Sequence, residues 1–425
     1  MSAHQPRKGR SVNKTRTGLI AALDIGSSKV CCLLAHSLND GGVRVVGIGH
    51  HASKGVRGGA VIDMDAAQNA TLTAVSAAEE LAGERIRDVI VNVSGGNLSS
   101  ETYNVELAIA GREITETDMR RALAQGNSIQ HGADQEILHC LPVGYSIDST
   151  RGIRDPRGMF AEMLGVDINV ISARTATLRN LANCLGRCHL DIEIAVAAPY
   201  ASGLACLVED EIDLGVTIVD MGGGTTTIAV FYDGEVIHAD SIPVGGQHVT
   251  NDIARGLSTS LSHAERMKTL YGSAIPSPSD ERELIDVPLI GEENVNQPNH
   301  VPRSLLNGII RPRMEETFEL VRSRLEVAGM DRIAGRRLVL TGGASQLQGV
   351  RELATLVLEK QVRMGRPMRI GGLAEATSGP AFSTCAGLVR FAAERHADVR
   401  DQLDAIPAGM GGRLTRFSHW IRENF

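Results

Sequence analysis

The chain has 425 residues, 43% of them hydrophobic and 22% charged, with 46 Gly and a formal net charge of −7. At about 100 to 200 residues per domain, this length predicts two or three domains with a substantial core and excludes a disordered or fibrous protein. No run of about 20 apolar residues is present to cross a bilayer, and the net acidity argues against a dedicated nucleic-acid binder.

Residues 1–17 carry Arg7, Lys8, Arg10, Lys14 and Arg16 and no acid. The apolar segment that would follow a signal-peptide n-region is missing, so this stretch reads as a disordered basic arm. From Leu19 the chain reads strand, tight Gly turn, strand, with a third short strand over Val43–Gly49 and a helix over Ala66–Leu81. Residues Arg85–Gly165 read as a small α+β insert, with strands near Val89–Val93 and Tyr103–Ala110 and a helix starting around Thr115–Asp118. The strand, Gly turn, strand order returns at Val216–Asp220, Gly222–Gly224 and Thr225–Tyr232, which suggests a duplicated architecture rather than a single sheet. Gly272–Pro302, rich in Pro and acids, reads as an exposed loop region. His396–Gly412 reads as a flexible linker. Seven Cys occur without a C-x-x-C pair. The cluster Cys184, Cys188 and His189 falls in a helical stretch where small buried thiols are common, so it reads as core in a reducing cytosol rather than as a metal site.

Three turns carry chemistry. In Asp24-Ile25-Gly26-Ser27-Ser28-Lys29, an acid at a strand end precedes N–H groups and hydroxyls suited to phosphate, and the acid can hold the water shell of Mg²⁺. In Asp220-Met221-Gly222-Gly223-Gly224-Thr225-Thr226, three glycines let the backbone approach a phosphate and the Thr hydroxyls add donors. It is neither a Walker A loop nor a dinucleotide fingerprint, since it leads into a strand instead of a helix. The third, Leu340-Thr341-Gly342-Gly343-Ala344-Ser345, permits flat contact with a base or ribose. Each turn alone is compatible with a plain hairpin; the ordered trio makes coincidence improbable.

That order is similar to the actin, sugar-kinase and heat-shock ATPase superfamily, and within it the sequence from about Leu19 to Phe391 resembles the bacterial FtsA cell-division family. The resemblance rests on Lys54-Gly55 with Gly58-Gly59, Ile137-Leu138-His139, Asp155-Pro156 with Gly158-Met159, and Ile242-Pro243-Val244-Gly245-Gly246 with Thr250-Asn251-Asp252-Ile253-Ala254. Ala264-Glu265-Arg266, Lys268, Tyr271-Gly272 and the third glycine turn complete it.

The resemblance implies an α/β, two-lobed actin-like (ribonuclease H-like) fold with an inserted small α+β subdomain. Its parts would be 18–84 with 166–200 and 370–396 (subdomain 1A), 85–165 (the insert, 1C), 201–240 with 304–369 (2A) and 241–303 (2B). ATP and Mg²⁺ would lie in the cleft. Asp24 and Asp220 would face the metal, while Gly26, Ser27, Ser28 and Lys29 would clasp phosphates with Gly222, Gly223, Gly224, Thr225 and Thr226. Gly245 would lie close to them at a helix start. Glu265 and Lys268, three apart on one helix face, would meet the nucleoside, although by themselves they read as a surface salt bridge. Gly342, Gly343 and Ala344 would pack against the adenosine. In actins, the strand-to-helix passage before the second phosphate turn supplies the group that orients the attacking water. Here it reads Ala197-Ala198-Pro199-Tyr200-Ala201, with no carboxylate or amide, so tight ATP binding with slow or negligible turnover is expected.

At the end of the chain, residues 413–425 place Leu414, Phe417, Trp420 and Ile421 on one helical stripe flanked by Arg413, Arg416 and Arg422. This pattern suits a helix lying in the headgroup plane of an anionic membrane. The alternative is a terminal helix docked on the body. The implied partners are the C-terminal peptide of the tubulin-like FtsZ at the lobe around Ser241–Pro302, other copies of the chain in filaments, later division proteins at the insert, and the inner membrane at the division septum. A small-molecule kinase or phosphatase of the same fold and an FtsA-like pilus-assembly protein are the other readings. A kinase would need a further catalytic Asp in the cleft.

Overall fold

The computed structural model describes residues 18–38, 42–128, 132, 134–291 and 299–404. The basic arm and the amphipathic helix at 413–425 lie outside the described residues.

Three antiparallel strands open the fold: β1 (Leu19–Ile25), β2 (Lys29–Ser37) and β3 (Val43–Ala52). After a small hairpin of β4 (Val56–Arg57) and β5 (Ala60–Val61), α1 (Met64–Ala82) is capped by Asp63, whose carboxylate accepts the Ala66 N–H, and is ended by Gly83 at φ 70°. Its buried stripe includes Ala67, Ala70, Ala74 and Ala78. The helix lies so close to β3 that a Cβ on Gly49 would stand 1.9 Å from the Ala74 carbonyl oxygen. Small residues on both partners thus set the helix-to-sheet distance. β6 (Asp88–Val93) then runs parallel to β1.

The insert follows as β7 (Ser99–Glu113), α2 (Glu116–Gly126), β8 (Gln135–Ile147), β9 (Thr150–Ile153) and β10 (Phe160–Arg174), a sheet of order β7-β10-β8-β9. It has its own core, including Leu107, Ile109, Leu164, Val166 and Ile168. α3 (Thr175–Arg187) and β11 (Asp191–Ala197) return to the first sheet, whose order is β11-β6-β1-β2-β3. The boundaries read from sequence, Arg85 and Gly165, therefore move. Val89–Val93 is part of β6 and is buried between β1 and β11, while β10 continues to Arg174. A short apolar run looks the same whichever sheet receives it, so the sequence carried no sign of this.

α4 (Ala198–Cys206) and α5 (Glu209–Leu214) lead to a second antiparallel set, β12 (Val216–Met221), β13 (Thr226–Tyr232) and β14 (Glu235–Ile242). Next come α6 (Gly246–Gly256), α7 (Leu261–Tyr271), the pair β15 (Leu284–Asp286) and β16 (His300–Pro302), and the long α8 (Arg303–Val327). β17 (Arg337–Thr341), α9 (Val350–Leu358) and β18 (Gln361–Met364) finish a sheet of order β14-β13-β12-β17-β18. Each large sheet thus has three antiparallel strands followed by two parallel ones, which is the duplication expected from the paired Gly turns. α10 (Ser383–Asp404) crosses back between the lobes against α4 and β1, and a Cβ on Gly387 would stand 1.7 Å from the Ala201 carbonyl oxygen.

Of two expectations for irregular chain, one holds and one is corrected. The described part of Gly272–Pro302 is mostly exposed loop, pinned at a few points: Ala274, Ile285 and Val287 are buried, and buried Asp280 accepts from Asn307 Nδ2 at 2.8 Å. The linker begins later than His396, because α10 continues as helix through Asp404 before the chain leaves the described residues.

The insert is fastened to both lobes. In β8, His139 Nε2 accepts the N–H of Ala197 at 3.0 Å, beside Tyr200 and Phe391. In β7, Ser100 Oγ accepts the N–H of Ala239 at 2.8 Å, and in β10 Asn169 Nδ2 donates to the Val236 carbonyl at 2.8 Å.

Candidate functional site

The two phosphate-type turns share one construction. The Gly26 N–H donates to the Lys29 carbonyl at 2.9 Å, and the Gly222 N–H donates to the Thr225 carbonyl at 2.8 Å. Each turn follows a strand that delivers a buried acid, Asp24 in β1 and Asp220 in β12. The turns face one another closely: a Cβ on Gly224 would stand 2.3 Å from Ser27 Oγ, and one on Gly223 2.9 Å from Ser28 Cβ. Glycine is required there by the opposing turn. Gln247 Nε2, on α6, donates to the Ser27 carbonyl at 2.9 Å and joins the lobes across the cleft.

Burial raises the Asp24 carboxyl to about 7, against the pull of Lys29 and with a further push from Asp220. Asp220 is also raised by burial, opposed by hydrogen bonds from Ser202 and Thr384 and by Lys29. Ser202 on α4 and Thr384 on α10, the latter at 2.8 Å, both donate to Asp220 Oδ2. Lys29 Nζ donates to the Ala381 carbonyl and lies 3.4 Å above the centroid of the Phe382 ring. Two desolvated carboxylates facing one chamber are stabilised by a hard divalent cation, and oxygen donors of this kind suit Mg²⁺. No cluster of three or more His, Cys, Asp or Glu forms a metal cage among the described residues. A cation here would therefore complete its shell with water and ligand oxygens, as Mg²⁺ does.

The cleft has two chambers. A small one of about 100 Å³ is bounded by Asp24, Asn92, Ala198, Asp220 and Thr227. A larger one of about 800 Å³, big enough for a nucleoside, extends past Arg57, Gln247, Thr250 and Ala344. Ser27, Ser28, Gly222, Gly223 and Gly343 line both, so the glycine turns form the passage between them. In the larger chamber, Lys268 Nζ lies 2.6 Å from Glu265 Oε2, 2.9 Å from Thr250 Oγ1 and 3.1 Å from the Gly246 carbonyl oxygen. Thr250 also donates to Glu265. The pair is thus a network fixed between α6 and α7 at the cleft wall.

Asp24, Gly26, Ser27, Ser28, Lys29, Asp220, Gly222, Gly223, Gly224, Thr225, Gly342 and Gly343 all line the small chamber; Glu265, Lys268 and Ala344 line the large one. Two predicted residues do not line either. Thr226 is fully buried with its hydroxyl donated to the Val244 carbonyl at 2.8 Å. It braces the turn, while Thr225 and Thr227 face the chamber. Gly245 lies beneath the second turn, where a Cβ would meet the Gly222 and Gly223 carbonyl oxygens at 2.6 and 2.7 Å. Gly342 holds φ 88°, and a Cβ there would stand 2.3 Å from Asp220 Oδ1. The reading from sequence missed Asn92, Ser202, Gln247 and Thr384. Gln247 directly follows the pair Gly245-Gly246, and Asn92 is the single polar residue inside the run Val89–Val93; Ser202 and Thr384 lie outside the glycine motifs.

A family model described as "Cell division protein FtsA" matches residues 217–387, and one described as "SHS2 domain inserted in FTSA" matches residues 95–172. The cell division protein FtsA of Rhizobium meliloti is 45% identical over 422 residues, covering 96% of each chain. The chain belongs to the FtsA family of cell-division proteins. The FtsA of Pseudomonas aeruginosa is 34% identical, over 96% of this chain and 98% of its own. The SHS2 match begins within two residues of the end of β6, in accord with the corrected edge of the insert. Among solved structures, the PilM-PilN type IV pilus biogenesis complex superposes with a TM-score of 0.62 at 17% identity, covering 88% of this chain and 98% of its own. MreB5 of Spiroplasma citri bound to ADP gives 0.55 at 14%, covering 90% and 99%. These likenesses show the actin-like fold. No helix among the described residues is long and apolar enough to cross a membrane.

Proposed function

We propose that this FtsA-family chain binds ATP with Mg²⁺ in the two-chamber cleft, polymerises, and ties the FtsZ ring to the cytoplasmic face of the inner membrane at the septum. The observation that carries the nucleotide reading is the pair of opposed glycine turns, each led by a buried aspartate, at the neck of a nucleoside-sized chamber. In this reading Asp24 and Asp220 hold the hydrated cation, Gly26–Lys29 and Gly222–Thr225 hold phosphates, Gly342, Gly343 and Ala344 face the adenosine, and Glu265 and Lys268 meet the nucleoside. The cation would neutralise phosphate charge. The passage Ala197–Ala201, where actins supply a water-orienting group, holds no carboxylate or amide, so turnover is slow.

The FtsZ peptide is assigned to the lobe around Ser241–Pro302. Support comes from Leu270, Tyr271 and Leu284, which are exposed on that lobe and offer apolar contact to a peptide whose tip carries apolar and basic residues. The insert is the docking domain for later division proteins. Membrane attachment is assigned to Leu414, Phe417, Trp420 and Ile421 with Arg413, Arg416 and Arg422, and copies joined in a polymer bind by avidity. The test is pelleting on anionic liposomes with ATP, with and without FtsZ. Full-length protein should pellet and carry FtsZ with it, and a chain ending at Gly412 should do neither. Unchanged pelleting of the truncated chain would overturn the anchor, and failure to carry FtsZ would overturn the tether.

A further inference from the structure

We propose that Asn92 is the residue by which the cleft tells a nucleoside triphosphate from a diphosphate, its side-chain amide donating to an oxygen of the terminal phosphate. This rests on the reading of the cleft as a nucleotide site. Asn92 is 4% exposed at the next-to-last position of β6, among the apolar residues Val89–Val93, where a carboxamide is costly unless its polar atoms are used. One atom is used: Oδ1 accepts the N–H of Ile25 at 2.7 Å, at the residue between Asp24 and the first glycine turn. A backbone N–H can only donate, so this bond fixes which way the amide points and leaves the Nδ2 hydrogens on the other side. Nδ2 makes no hydrogen bond to protein among the described residues, and Asn92 is part of the wall of the small chamber with Asp24, Asp220 and Thr227.

A nucleotide seated with its nucleoside in the large chamber reaches the small one only through the passage between the glycine turns, so the group that arrives there is the end of its phosphate chain. The first turn and the discriminating donor are then one unit, since the atom that anchors Ile25 orients Nδ2. With the longer ligand this donor exchanges water for an anionic phosphate oxygen, and a donor to an anionic oxygen is among the stronger hydrogen bonds, so the third phosphate gains a contact that the shorter ligand lacks.

The experiment compares Mg²⁺-ATP and Mg²⁺-ADP dissociation constants by calorimetry in the wild type, in Asn92→Asp, which keeps an acceptor for the Ile25 N–H and removes the donor, and in Asn92→Ser, a smaller neutral change. Melting of the nucleotide-free variants checks the fold. ATP affinity should fall by about tenfold or more in both variants while ADP affinity changes by less than about threefold. Equal weakening of ATP and ADP, or no change in either, would overturn the role of Asn92 and leave the nucleotide site standing. A wild-type chain that binds neither nucleotide would overturn both.

Discussion

Gln247 on α6 of the second lobe donates its side-chain amide to the Ser27 carbonyl of the first at 2.9 Å, linking that helix to the first phosphate turn. Its neighbouring backbone is engaged as well, since the Gln247 N–H donates to the Gly223 carbonyl at 2.8 Å. Gln247→Ala removes only the cross-cleft bond. The expected loss of global stability is about 0.5–1.5 kcal/mol. Amide exchange at residues 26–29 of the nucleotide-free protein should accelerate, and unchanged exchange would mean that the bond does not hold the lobes.

Asp24 titrates at about 7 because of burial, well above its ordinary 3.8. The folded protein therefore binds more protons than the unfolded chain between about pH 4 and 7, so its stability falls as pH rises across that window. Asp24→Asn should flatten this slope and raise the melting temperature of the nucleotide-free protein at pH 7.5, while weakening Mg²⁺-dependent ATP binding by more than about tenfold. Thermal melts across pH with and without Mg²⁺-ATP test both halves, and a variant that melts lower at pH 7.5 contradicts the first.

His139 gives the opposite sign. Burial, with Arg395 nearby, lowers it to about 4, so its contribution is intact above about pH 6.5 and is lost as pH falls toward 4. His139→Ala also leaves the Ala197 N–H without an acceptor and opens a cavity beside Tyr200 and Phe391. A loss of about 2–4 kcal/mol is expected at pH 7.5, with a smaller difference at pH 5. Denaturant melts at the two pH values measure it, and an equal difference at both would rule out the titration.

Gly387→Ala should destabilise by about 3 kcal/mol or more, because backbone rather than a movable side chain occupies the space its Cβ needs. A melting temperature within a degree of the wild type would show that α4 and α10 can separate at small cost.

For turnover, phosphate release by the purified protein should stay below about 1 s⁻¹ with ATP and Mg²⁺. Several per second would require a water-orienting group outside the Ala197–Ala201 passage.

The glycine turns and their acids were legible because backbone approach restricts residue choice: Gly223, Gly224 and Gly342 each face an atom that a Cβ would strike. The repeated strand, turn, strand order made the two lobes legible for the same reason. The membership of β6 was not, since burial between β1 and β11 asks for the same apolar residues as burial in the insert. The supports of Asp220 were equally hidden. Ser202 and Thr384 lie 18 and 164 residues from it in the chain and meet it only because α4 and α10 cross beside β12. Short-range pattern records local backbone demands and says little about such distant convergence.

The two seams of the insert give it a mechanical position that neither lobe has. It is bolted to the first lobe at Ala197 and to the second at Val236 and Ala239. A jaw-like movement of the lobes must therefore slide one of these joints or bend the insert's own sheet. In the other direction, tension on the insert reaches Ala197 through a single imidazole. The next residue along the chain, Ala198, is already a wall of the small chamber.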